Sequence, residues 1–344
     1  MTEQQWDQLN CIINGELQNP LPVSFIIDSP WLPNWAEMTI RDYFTHDESW
    51  FKANLKAVQT FPDVIFLPGF WSEFGMCSEP SAFGAKCRFP ENEFPHAEKC
   101  ILHPEMIDDL QVPNPETDGL APFILNRLVL HQSKIQEMGH SIRFSVSRGP
   151  LNIASYLMGV PEFLTLMMTD PDKTHQLLDI VTRYLQEWHD LQHQTFQTID
   201  GIFLLDDILG FIAEEQFREF ALPCLKRLYD RDLSVKFLHN DANCASTVPF
   251  LEELGVNLFN MGFKVNLNQL KKETNNQITL VGNIPPRDVL AQGELIDVQK
   301  ATLELLESLD DPSCVLFSCG GGMPPGVSTD NIRMFIETVH TFHK

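Results

Sequence analysis

The sequence predicts a (β/α)8 barrel, and three observations carry that reading. Eight short β-branched or aromatic runs recur along the chain, each bounded by turn residues. Amphipathic stretches suited to crossover helices separate them, the pattern of a parallel sheet. Polar residues stand just past run after run, where such a barrel gathers its chemistry. The runs are Pro22–Ile27, Asp63–Leu67, Ser141–Val146, Gly201–Leu205, Ser234–Leu238, Asn257–Asn260, Gln277–Val281 and Ser313–Phe317. Apolar residues at helical spacing fill Pro161–Gln197, Glu214–Asp230, Val248–Leu254, Pro286–Gln292 and Asp297–Ser308. The stretch between Leu67 and Ser141 is too long for one crossover, so it predicts a long insertion after the second strand. Its proline-rich turns, FPENEFPH and VPNPETDGLAP, are irregular rather than repetitive. Residues 1–20 read as an N-terminal arm or helix outside the barrel, and the chain, 1–344, as a single barrel domain.

A chain of 344 residues and 39.3 kDa is long enough for two domains, but one barrel also reaches ~250 residues or more. Hydrophobic residues at 43% and charged residues at 21% exclude long disorder, fibrous repeats and coiled coil. Lys+Arg 24 against Asp+Glu 47 leaves a net charge of −23. That field repels polyanions, so the expectation is no nucleic-acid surface and no polybasic membrane patch. No apolar run reaches the ~20 residues of a membrane span, and the opening MTEQQWDQLN is polar, which predicts a cytoplasmic protein. The eight cysteines are dispersed, without a C-x-x-C pair, and read as reduced. Cys11, Cys100, Cys224 and Cys314 read as small buried hydrophobes.

Reading past each run gives the candidate site. Asp28, Glu73, Arg148, Asn260 and Asn283 are candidates to meet substrate, although Asp28, Asn260 and Asn283 taken singly suit a cap or turn equally well. Asp206 and Asp207 follow an apolar run, and strand alternation sends them to opposite sides; Asp207 is assigned to the pocket as a catalytic acid–base or a metal ligand. His239, Asp241 and Cys319 offer nitrogen, oxygen and sulfur at the same rim, a donor set that suits zinc. Glu73, Glu79 and Cys77 are further candidates for the third ligand. The unmetallated alternative makes His239 a hydrogen-bonding group and Cys319 a neighbour of the Gly320-Gly321-Gly322 turn. That turn is not a P-loop, no G-x-G-x-x-G opens a helix after the first run, and no G-x-S-x-G elbow occurs.

RGPLNIASYLMG at 148–159, GIFLLDD at 201–207, FLHND at 237–241, LVGNIPPRDVL at 280–290 and SCGGGMPPGVSTDNI at 318–332 together resemble the uroporphyrinogen decarboxylase superfamily, over most of the chain. The resemblance implies a TIM barrel serving either tetrapyrrole decarboxylation or zinc-dependent, corrinoid-linked methyl transfer. Tyr156 matches the family's active-site tyrosine. The decarboxylases' R-Q-A-G-R motif is replaced by FIIDSPWLPNW, and the His of their C-terminal G-H-G turn is missing at Cys319-Gly320-Gly321-Gly322. The methyltransferase branch binds zinc through His-x-Cys and a later Cys; here His239 and Cys319 match and Asp241 stands for the middle Cys. The resemblance therefore implies a zinc- and corrinoid-dependent methyltransferase or demethylase with Asp207, Tyr156 and His239 as catalytic residues. It would use a small methyl donor or acceptor, with a corrinoid protein and a second copy of the chain as partners. A decarboxylase and a non-catalytic corrinoid- or tetrapyrrole-binding protein are the alternatives. Trp31, Trp35, Phe70, Trp71, Phe74 and Phe83 would suit a flat ligand or simple packing.

Overall fold

A computed structural model describes residues 1–27 and 30–342, so Asp28 lies outside the described residues. Each of the eight runs overlaps a strand, and five of the strands continue past the end of the run. In chain order these are β1 (Ser24–Ile26), β2 (Ile65–Leu67), β5 (Phe144–Arg148), β6 (Gly201–Leu205), β7 (Val235–Asn240), β8 (Leu258–Met261), β9 (Thr279–Ile284) and β10 (Val315–Cys319). The insertion supplies a small antiparallel hairpin, β3 (Cys87–Arg88) and β4 (His96–Ala97), two 3₁₀ turns and the helix Ala121–Glu137. Strands β5 to β10 form one parallel sheet in sequence order, and β1 and β2 form a parallel pair. A bridge between Val23 and Phe317 joins that pair to β10.

The remaining seam, between β2 and β5, is filled by the N-terminal segment. Thr2 pairs with His140, the Ser141 backbone amide donates to the Met1 carbonyl at 2.8 Å, and the Gln5 side-chain amide donates to the carbonyls of Pro62 and Val64. The arm expected outside the barrel is the helix Glu3–Ile13, begun by a reciprocal Thr2–Gln5 cap. It buries Trp6, Leu9 and Ile12, with Trp6 edge-on to Phe144 at 5.4 Å.

Strand alternation sorts the core. Phe203 and Phe237 stack at 4.2 Å, with Trp71 6.0 Å from Phe203. Burying each such ring contributes about 1.5–3 kcal/mol. Ser145 and Ser147 face the other way, toward His193 and His189 on the helix Pro171–Thr195. The single helical stretch expected over Pro161–Gln197 is two helices, Val160–Thr169 and Pro171–Thr195. Pro171 has no N–H to continue the first, and Asp170 caps the second through the Lys173 amide. Val248–Leu254 forms only a short 3₁₀ turn. Trp31, Phe70, Trp71, Phe74 and Phe83 are buried and pack against their neighbours; Trp31 stacks on Trp35 at 5.1 Å and donates its indole N–H to the Val327 carbonyl. Among the described residues no disulfide links the eight cysteines, and no single helix is long and apolar enough to cross a membrane.

Candidate active site

The C-terminal ends of β2, β5, β6, β7 and β8 bring two charged groups to one mouth. On the first side Arg148, the last residue of β5, meets the insertion. Its Nη2 donates to Glu73 Oε2 at 2.8 Å, its Nη1 to Glu79 Oε2 at 3.4 Å, and its amide to Glu79 Oε1 at 2.9 Å. All three residues are buried. Burial works against the Arg148 charge, but Glu73 and Glu79 outweigh it and hold the guanidinium above its usual value. Glu73 and Arg148, which the sequence assigns to substrate, therefore meet each other.

The second side is built on β6 and β7. Asp206 is completely buried and turns outward, where it accepts the Leu151 and Asn152 amides at 2.9 and 3.0 Å and caps the helix Pro150–Met158. Gly149 leaves it room, since a Cβ there would overlap the Asp206 carboxyl. Asp207 is thereby sent to the mouth, where its Oδ1 lies 3.5 Å from His239 Nε2 and accepts the Asp241 amide at 3.2 Å.

His239 is 6% exposed, and its neighbour across the strand pair β7–β8 is Asn260. Nδ1 of His239 is 2.7 Å from Asn260 Oδ1, while Asn260 Nδ2 donates to the Val281 carbonyl at 2.7 Å. The amide is thus oriented by the backbone, its oxygen can only accept, and Nδ1 must carry the proton. Nε2 is left facing Asp207, whose Oδ1 lies 3.5 Å away. One ligand atom from each of Asp207, His239 and Asp241 lies within 4.8 Å of the others. Asp241 is exposed as a residue, but its carboxyl turns against Gly321, where a Cβ would stand 2.6 Å from Oδ2. Burial of that carboxyl raises it above the usual carboxylate range; His239 opposes the rise, and the Asp207 charge and hydrogen bond add to it.

Tyr156, on the helix Pro150–Met158, feels both sides. Burial pushes its phenol up to about 12, with Arg148 pulling down and Asp207 and Glu79 pushing further up. Asn283 donates to the carbonyls of Val265 and Gly262 and so fastens the loop after β8. Cys319 is fully buried with Sγ 3.4 Å from the Gly321 carbonyl. It does not join Asp207, His239 and Asp241, because the strand end carries the thiol toward its own glycine turn.

Comparison with known proteins gives the family and the fold. The family model for uroporphyrinogen decarboxylase (URO-D) matches residues 34–342. The chain belongs to the URO-D family. It is 23% identical over 275 residues to the uroporphyrinogen decarboxylase of Thioalkalivibrio sulfidiphilus, covering 76% of each chain. It is 23% identical over 310 residues to that of Schizosaccharomyces pombe, covering 85% of this chain and 81% of the relative. Among solved structures, a methyltransferase from Methanosarcina mazei has a TM-score of 0.81 at 18% identity, over 97% of this chain and 98% of its own. A B12-independent methionine synthase from Shewanella sp. W3-18-1 has a TM-score of 0.57 at 11% identity, over 93% and 97%.

In this URO-D chain the sequence reading missed two relationships. Glu79 is the second partner of Arg148, and Asp207 is the third member of the His239 group. Glu79 stands inside the insertion, so only its loop's path brings it to β5. Asp207 carried a signal, the alternation against its capping neighbour, but its distance to His239 depends on how tightly the 3₁₀ turn Asp207–Phe211 starts.

Proposed function

We propose that the chain is a metal-assisted methyltransferase or demethylase, moving a methyl group between a small donor or acceptor and a corrinoid. The observation that carries this reading is the Asp207–His239–Asp241 group, in which the imidazole gives Nδ1 to Asn260 and turns Nε2 toward two carboxylates. Two neighbouring carboxylates and an imidazole nitrogen fit a divalent cation: the ion offsets the burial and the Asp207 charge that together raise Asp241, and nitrogen with two oxygens suits zinc. Such an ion supplies Lewis-acid chemistry to the heteroatom that gains or loses the methyl group.

The chain's own residues prepare the rest. Tyr156 keeps its proton across the working pH range and can donate a hydrogen bond to that heteroatom. Asp207, 37% exposed, can reach both His239 and an incoming ligand. Arg148 offers no charge to substrate, because two buried carboxylates already hold it. A polycarboxylate tetrapyrrole therefore lacks its cation on this wall of the mouth, which argues against the decarboxylation that the relatives' names suggest.

Purified protein assayed with methylcobalamin and a thiol after zinc loading is expected to turn over, and with uroporphyrinogen to release no carbon dioxide. Decarboxylation of uroporphyrinogen would overturn the reading. Tight cobamide binding without turnover in either assay would overturn it too, in favour of a corrinoid-binding protein.

A further inference from the structure

The arrangement of β7, β8 and β9 carries an inference that rests on the metal reading and deepens it. The register aligns His239 with Asn260 and Asn260 with Val281 across three neighbouring strands. Asn260 is completely buried and spends both ends of its amide within this line: Nδ2 donates to the Val281 carbonyl, and Oδ1 faces His239 Nδ1. A backbone carbonyl cannot donate, so it fixes which end of the amide is which. The amide in turn fixes which imidazole nitrogen is protonated.

We infer that Asn260 is a positioning residue, which locks His239 in the Nδ1–H tautomer and holds the bare Nε2 toward Asp207 and Asp241. Asn260 itself touches neither ligand nor metal. Its contribution is to remove the other tautomer, in which Nε2 would present a proton to the site. A carbonyl or carboxylate in this place raises the basicity of the ligating nitrogen, and losing such a partner weakens metal binding by about 10–100-fold.

Two variants separate this role from simple core packing. Asn260→Leu keeps the bulk and removes both hydrogen bonds. Asn260→Asp keeps the acceptor for Nδ1–H while losing the donor to Val281. The readouts are the 15N chemical shifts of His239 in the metal-free full chain, measured above the imidazole's titration, and calorimetry with zinc ion alone. In the wild type Nδ1 is expected at the protonated and Nε2 at the unprotonated position. Asn260→Leu should move both shifts toward averaged values and weaken zinc by about 10–100-fold. Asn260→Asp should keep the wild-type pattern and recover zinc affinity to within about tenfold.

A wild type with the proton on Nε2 overturns the inference, and this needs no variant to fold. So does an Asn260→Leu protein with the wild-type shift pattern. A wild type with the expected tautomer that binds no zinc supports the role of Asn260 and overturns the metal reading above, so the two failures are distinguishable.

Discussion

The mouth of this barrel holds the same inventory twice, two carboxylates around one basic side chain, and the two copies behave differently. Glu73–Arg148–Glu79 is sealed: side-chain exposures are 4%, 9% and 5%, and two carboxylates converge on one guanidinium at 2.8 and 3.4 Å. Asp207–His239–Asp241 is open, with Asp207 37% exposed and no shorter side-chain approach to Nε2 than 3.5 Å. The base decides the outcome. Arginine is always charged and brings five donors, so it satisfies both acids outright. Histidine gives its Nδ1–H to Asn260 and offers the two acids a single ring nitrogen, so it cannot satisfy both of them. Charge counting alone makes the two sides equivalent; donor counting separates a brace from a ligand site.

The largest effect should come from breaking the brace. Arg148→Met removes the cation that two buried carboxylates share and should cost about 3–5 kcal/mol in chemical denaturation. His239→Ala in metal-free protein should cost less, about 1–3 kcal/mol, because it orphans one buried acceptor. Equal losses would erase the distinction.

Zinc sharpens it next. At a free concentration of 100 times its dissociation constant the ion should stabilise the wild type by about 2.7 kcal/mol, and this gain should vanish in His239→Ala. An unchanged thermal shift in His239→Ala would place the ion elsewhere.

Acid gives a smaller effect, from bases remote from the mouth. Burial lowers His140 to about 4, with a lesser push from the Met1 amino group, and lowers His189 well below its usual value. Both stay neutral in the fold while the unfolded chain protonates near 6.5. Their stabilisation is therefore full above that pH and lost as pH falls toward 4. Melting temperature should decline over this window, and His140→Asn should flatten the decline. A pH-independent melting temperature from 7 to 4 would contradict this.

The smallest expected change is none. Cys319→Ala should leave zinc affinity within about threefold, since the thiol faces the Gly321 carbonyl. Loss of the metal in that variant would restore the ligand set that the sequence suggested.

What the sequence made legible follows a physical divide. The strands were visible because a barrel strand is buried on both faces and must read as a short apolar run; the observed Gly201–Leu205 has the bounds read from the sequence. Strand ends were visible too, so His239, Asp207 and Arg148 were placed at one mouth. Which partner each would take was not. Arg148 looks like a free cation until the insertion delivers Glu79, and Asp206 shows itself as a cap only once a helix starting at Pro150 is known to end against it. Side-chain direction past the last ladder bond belongs to loops, and loops answer to contacts distant in sequence. Cys319 illustrates the same limit within two residues, because its orientation is set by the turn at Gly321.

The seam between β2 and β5 has a kinetic consequence. Thr2 pairs with His140 and Met1 with Ser141, so these contacts close a span that holds β1, β2 and the insertion. Loop closure over such a span is slow compared with the local β–α docking of β5 to β10. The six-strand sheet can therefore assemble first as an open arc. The β1–β2 pair and the N-terminal helix can then dock against that arc, and the N-terminal segment covers an approach to β5 that would otherwise be open to pairing with another chain.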